Sequence, residues 1–266
     1  MTTQSEQTAK FRALHDGFLV LPNAWDAASA MLSQEAGAQA IATSSAAVAW
    51  CQGYSDGEKM PRAVALAAAK EVIRIARVPV SVDSEAGYGG PDKAAAHVLT
   101  LIEMGAAGIN IEDGKDAPDV LVAKIKAIKA AAKAKGADIF INARTDVYLQ
   151  NLVADADKRA ESIRRGRLYR DAGADGLFVP WVTDTADMRA IADAVKLPLN
   201  VLVRTGLPEV PALKAAGARR LSAGALIGRA AYGAAQLATK MLLDEGKYDA
   251  IFATSSEAPN FNPLFS

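Results

Sequence analysis

Residues 104–146, MGAAGINIEDGKDAPDVLVAKIKAIKAAAKAKGADIFINARTD, contain one complete structural period. Within it, 107–112 (AGINIE) and 139–146 (IFINARTD) are short, apolar and partly β-branched, and read as strands. Between them 118–135 is rich in Ala and Lys and opens on Pro118, the signature of a helix. Met104-Gly105-Ala106 stands just before the first strand, where glycine suits a left-handed helix C-cap that turns the chain back. Strand, helix and strand in this order predict two parallel neighbours joined by a helical crossover.

Working outward, the same period recurs. Further strands are expected at 18–23, 40–45, 78–83, 176–181, 198–203 and 219–223, and further helices at 61–77, 92–105, 155–172 and 184–195. The small-Gly-Ala phrase returns as Ala36-Gly37-Ala38, Ala172-Gly173-Ala174 and Ala216-Gly217-Ala218. Val78-Pro79 and Leu197-Pro198 begin strands with a proline, which a first strand position tolerates. Eight such units predict a (β/α)8 TIM-type barrel, and 266 residues suit a fold that takes about 250. No Ser/Gly/Pro-rich linker interrupts the run, so residues 1–266 are read as a single barrel domain with a C-terminal helical tail. In that tail Phe261 and Phe265 are expected at the surface. The helix expected at 227–243 is apolar around much of its circumference and wants burial on more than one side.

Thirty basic and thirty acidic residues give no net charge, so nothing calls for nucleic acid or an anionic membrane as partner. The N-terminus is polar, no run of about 18 apolar residues exists, and the one cysteine, Cys51, has no partner for a disulfide. A cytoplasmic protein is expected.

In a barrel of this kind the active site lies at the C-terminal ends of the strands. Those ends read Trp25-Asp26, Ser44-Ser45, Asp83-Ser84-Glu85, Glu112-Asp113, Arg144-Thr145-Asp146, Pro180-Trp181 and Arg204-Thr205. Asp83 and Glu85 are two apart and would share one side of a strand, with Glu112 on the next. Three carboxylates at one mouth call for a cation, and an all-oxygen donor set favours Mg2+, with Mn2+ possible. Alternatively these acids cap the following helices or pair with Arg144. Arg144 is a natural fork for a carboxylate, or else a salt-bridge partner of Glu112 or Asp146. The Gly87-Tyr88-Gly89 turn follows the acids. The segment 46–61, with Gly53, Gly57, Asp56 and Glu58, is long enough for a lid or simply an exposed loop. His15 and His97 read as structural or exposed. A Schiff-base enzyme is disfavoured because Lys115 is the only lysine near a strand end.

The strings VSVDSEAGYGG, GINIEDG, NARTD and TSSAAVAW followed by GYSDGE resemble the isocitrate lyase/phosphoenolpyruvate mutase superfamily over nearly the whole chain. That resemblance implies a magnesium-dependent barrel enzyme acting on a small 2-oxo or 2-hydroxy (di)carboxylate through an enolate, by C–C cleavage or decarboxylation. It implies Asp83 as the direct metal ligand, also lining the substrate, with Glu85 and Glu112 holding the ion mostly through water. Ser44, Ser45 and Arg144 would hold the substrate carboxylate, Asp56 would act from the gating loop, and Asp113 would be a supporting group. It further implies a homo-oligomer, dimer or tetramer, in which the eighth helix is swapped between subunits. The loop after the fourth strand, GKDAPDVLV, lacks the Cys and His of the isocitrate and methylisocitrate lyases, so their usual acid is missing. Enzymes of P–C chemistry (phosphonopyruvate hydrolase or phosphoenolpyruvate mutase-like) and a non-catalytic 2-oxo acid binding protein are the alternatives.

Overall fold

A computed structural model describes residues 3–265. Among them nine parallel strands form one sheet: β1 Leu19–Leu21, β2 Asn23–Ala24, β3 Ile41–Thr43, β4 Val80–Asp83, β5 Gly108–Glu112, β6 Phe140–Arg144, β7 Gly176–Phe178, β8 Leu199–Leu202 and β9 Ala218–Ser222. The spatial order is β1-β9-β8-β7-β6-β5-β4-β3-β2. The stretch expected as one strand, 18–23, is divided at Pro22. Proline has no N–H to give a ladder, so the chain changes partner there. Leu19–Leu21 pairs with β9, whereas Asn23–Ala24 pairs with β3. The two pieces form one broken stave, and the sheet comes round to a nearly closed α/β barrel of the TIM type.

The helices are α1 Gln4–Ala13, α2 Ala27–Glu35, α3 Ser45–Cys51, α4 Arg62–Ile75, α5 Pro91–Met104, α6 Pro118–Ala134, α7 Lys158–Ala172, α8 Thr185–Val195, α9 Val210–Ala215, α10 Leu226–Glu245 and α11 Asp249–Ser255. Gly37, Gly105, Gly173 and Gly217 all have positive φ, between 87° and 109°, as the recurring small-Gly-Ala phrase predicts. Residues 46–51 are helical rather than part of a long loop, because Ser44 caps α3 by accepting the Ala47 N–H.

Helix α1 closes the N-terminal end of the barrel. Gln4 and Thr8 donate to the carbonyls of Ala106 and Ala107, just ahead of β5. Phe11 fills the floor and meets Phe140 edge-on, and His15 stacks on Phe140 at 4.3 Å. Gly108 makes this plug possible: a Cβ there would lie 2.8 Å from the Phe11 ring. His15 is buried, with Nδ1 2.8 Å from the Phe11 carbonyl.

Above the floor the barrel interior is polar, unlike the Val/Ile/Leu layers usual for this fold. Asn142 donates to the Asn110 side chain at 2.9 Å, and Arg220 reaches the same oxygen at 3.2 Å. Asn200 donates to Ser222 at 3.0 Å. Arg220 is completely buried, and burial pushes its pKa down to about 9, with Asp83 partly opposing that.

Helix α10 departs from the barrel. Its first turn is seated, with Gly228 against Ala47 and Trp25. Farther on Leu237, Leu242 and Leu243 are 57%, 46% and 77% exposed. The barrel wall itself is bare beside it: Val20 is 56% exposed and lines, with Leu32 and Ile227, a cleft of about 470 Å3. In the tail Phe265 is exposed, as expected, and stacks on the part-buried Phe261. No helix among the described residues is long and apolar enough to cross a membrane.

Candidate active site

Asp83 closes β4, and two neighbours fix it. Its backbone N–H donates to Thr43 Oγ1 at 2.8 Å, and its Oδ2 accepts the Ser45 N–H at 2.9 Å. The end of β3 and the start of α3 are therefore tied to the first acid. Ser44, buried beside Ser45, accepts the Ala47 N–H at the α3 cap through its hydroxyl oxygen.

Glu85 does not lie on the strand as expected. β4 stops at Asp83, and Glu85 takes φ +48°, so two-residue periodicity no longer governs where it points. It is buried; its Oε1 accepts from Tyr88 Oη at 3.1 Å and its Oε2 accepts the Glu58 N–H. Glu58 returns the contact by accepting the Tyr88 N–H at 2.6 Å. Glu58 and Tyr88 also have positive φ, 56° and 58°. Three non-glycine residues in this sparsely populated region thus meet one another, and their shared hydrogen bonds hold the Glu58 loop down on the turn after β4. Asp56, in the same loop, is exposed. Its charge still contributes to raising the pKa values of Glu85 and Glu112.

Two strands along, Arg144 ends β6, next to Glu112 at the end of β5. It donates to Asp146 through Nε and Nη2, at 2.6 and 3.0 Å, and its Nη1 lies 2.6 Å from Glu112. Asp146 is held in turn by Asp113, whose Oδ1 accepts the Asp146 N–H at 2.9 Å. Asp113 is buried and anchored by Arg165 at 2.8 Å and Tyr169 at 2.6 Å. One chain of contacts therefore runs from α7 through Asp113 and Asp146 to the guanidinium.

Burial lifts the Glu112 carboxyl to about 8: Arg144 opposes that, while Asp83, Asp146 and Asp56 reinforce it. Burial also raises Glu85 and Asp146, and neighbouring carboxylates add to the effect in both. Burial disfavours the Arg144 charge, but Glu112 and Asp146 outweigh it and hold the group firmly protonated. Anionic charge at this rim exceeds what Arg144 alone balances, and every donor is oxygen, so the chemistry of the set fits a hard divalent cation. Among the described residues no three acidic, His or Cys side chains gather close enough to ligate one ion directly.

The structure places Ser44, Ser45, Asp83, Glu85, Glu112 and Arg144 at the C-terminal rim. The sequence reading named Glu58 only as part of a possible lid and Tyr88 only as part of a turn, and it missed Arg165 and Tyr169. The glycines around Tyr88 hinted at an unusual backbone, but nothing in sequence linked that turn to Glu58, 30 residues earlier. The connection from β5 to α6 is only residues 113–117, with Lys115 exposed, so no long loop follows β5.

Residues 11–243 match the family described as phosphoenolpyruvate phosphomutase. A Mycobacterium tuberculosis protein of uncharacterised function is 37% identical over 220 residues, covering 80% of each chain. The 2-methylisocitrate lyase of Bacillus subtilis is 32% identical over 213 residues, 74% of this chain and 67% of that one. Among solved structures, oxaloacetate acetylhydrolase in complex with its product oxalate superposes with a TM-score of 0.82 at 25% identity, covering 100% of this chain and 94% of that one.

Proposed function

The chain belongs to the isocitrate lyase/phosphoenolpyruvate mutase superfamily, and from that premise we propose that it is a magnesium-dependent lyase. Its substrate is a small 2-oxo or 2-hydroxy (di)carboxylate, cleaved next to the keto carbon, or decarboxylated, through an enolate. The observation that carries this reading is the pairing of an over-acidic, all-oxygen rim with a guanidinium that Asp146 already orients beside it.

In this reading Asp83 would be the direct ligand of Mg2+ (or Mn2+), and Glu85 and Glu112 would help hold it, mostly through water. The bound ion supplies Lewis-acid stabilisation of the negative charge that develops on the enolate oxygen. Arg144, with Ser44 and Ser45, binds the substrate carboxylate and turns the bond to be broken towards the acids. Asp146 and Asp113 keep the guanidinium fork in one orientation. Asp56 arrives on the Glu58 loop, which closes the site and excludes water. Relatives named for 2-methylisocitrate cleavage and for an oxalate-yielding reaction support the substrate class.

A second reading, a 2-oxo acid binding protein without turnover, is favoured by the short 113–117 connection, which carries no Cys or His. Turnover of a panel of 2-oxo and 2-hydroxy acids with Mg2+ separates the two. Release of a 2-oxo acid or CO2 from any of them supports the lyase, and magnesium-dependent binding without product from any substrate supports the binder.

The bare wall at Val20 and the exposed apolar side of α10 match each other in character. They support a homo-oligomer, dimer or tetramer, in which α10 of one subunit covers the wall of the next.

A further inference from the structure

A second cleft opens at the same end of the barrel, three strands round from the acids of β4 and β5. It has a volume of about 620 Å3 and lies between the exits of β8 and β9, the end of α3 and the start of α10. Two indoles and two guanidiniums, Trp50, Trp181, Arg204 and Arg229, give it its character. None of the four takes part in the chemistry described above.

Trp181 adopts φ +72°, a left-handed conformation that is costly for a bulky side chain, yet it is 43% exposed. Burial therefore does not offset the strain. Arg204 lies over the Trp181 ring with Cζ 4.4 Å from its centroid, and its Nη1 is 3.4 Å from the Trp181 carbonyl oxygen. The indole and the guanidinium form a pre-set surface that is apolar on one part and cationic on the other. Neither Arg204 nor Arg229 makes an ion pair among the described residues, in contrast to Arg144 and Arg165. Unpaired guanidiniums beside aromatic walls are the donor set for a carboxylate on a hydrocarbon stem.

The cleft also has the right position. Trp50 stands near the end of the helix that Ser45 begins, on the order of 8 Å away along its axis. Trp181 follows Phe178, whose ring lies 5.8 Å from the Arg144 guanidinium. A substrate held at Arg144 that extends along the rim past Phe178 would reach Trp181 and the cleft.

We propose that this cleft is the specificity pocket of the reaction. It takes a second carboxylate borne on an apolar stem, with Arg204 as the main anion contact and Trp50 and Trp181 as walls. The inference rests on the 2-oxo acid reading and deepens it: the substrate is an extended dicarboxylate, larger than pyruvate. The protein with Mg2+ is titrated calorimetrically with oxalate, 2-oxohexanoate and 2-oxoadipate. Oxalate is too short to reach the cleft, and the other two are matched in length but differ in the distal carboxylate. The diacid is expected to bind about tenfold more tightly than the monoacid. Arg204→Gln removes that preference and Arg204→Lys restores part of it, with oxalate affinity unchanged in both. Should oxalate bind while wild type shows no diacid preference, or Arg204→Gln keep it, the pocket assignment is overturned. A variant that changes sedimentation instead of ligand preference overturns it too, by making the cleft a subunit contact. Failure of oxalate to bind wild type at all removes the underlying 2-oxo acid reading.

Discussion

Arg144 and Asp146, two residues apart where β6 gives out, face each other through two hydrogen bonds of 2.6 and 3.0 Å. The NARTD string is thus a single device: its acid orients its own arginine. A free arginine side chain gives up much rotamer entropy on binding, and here Asp146 has already imposed that order before any substrate arrives.

The first prediction concerns this fork. Arg144→Lys keeps the charge but not the planar pair of donors, and should weaken oxalate binding by tenfold or more. Removing one partner of a buried charged pair costs about 2–5 kcal/mol, so Arg144→Ala should be worse. Isothermal titration measures both. If Arg144→Lys binds oxalate as tightly as wild type, Arg144 is only a structural partner of Glu112 and Asp146.

A second prediction addresses the metal. Chelation with EDTA should abolish turnover, and Mg2+ or Mn2+ should restore it. Asp83→Ala should lose Mg2+ binding in calorimetry while its far-ultraviolet circular dichroism stays unchanged, because a strand-end acid does not support the core. Metal affinity equal to wild type in that variant would remove Asp83 from the ligand set.

Helix α10 supplies a third. With Leu237, Leu242 and Leu243 largely exposed in the single chain, the protein should sediment as a dimer or tetramer at micromolar concentration. Leu243→Glu places a charge in the contact and should shift the equilibrium towards monomer. A wild-type monomer by sedimentation would contradict the arrangement.

Acid stability gives a fourth. His97 is 2% exposed, neither ring nitrogen has a hydrogen-bond partner among the described residues, and burial, with the Arg62 charge, lowers its pKa from 6.5 to about 4. Above pH 6.5 the ring is neutral whether folded or unfolded. As pH falls from there towards 4, only the unfolded chain takes the proton, so stability declines by about 1.4 kcal/mol per pH unit from this group. His97→Leu removes the proton site at similar volume. In urea unfolding it should lose less stability than wild type between pH 7.5 and pH 5. Equal losses would show that His97 is not an acid-sensitive point.

The sequence by itself determined the period of the fold and the inventory of its rim. Strand and helix positions follow from local apolar patterning, and the small-Gly-Ala phrase marks turns that need only a left-handed residue. Such signals are local, and they give an α/β barrel with Asp83, Glu112 and Arg144 at strand ends. Tertiary structure alone decided how those groups are used. Pro22 splits the first stave because a missing N–H matters only once a neighbouring strand is present to need it. Glu85 leaves the strand line because Tyr88 and the distant Glu58 supply its hydrogen bonds. Asp113 serves Asp146 because Arg165 and Tyr169, more than 50 residues on, are brought under it by helix packing. Each of these depends on contacts between segments remote in the chain, and the energy of such a contact exists only once the barrel has nearly closed.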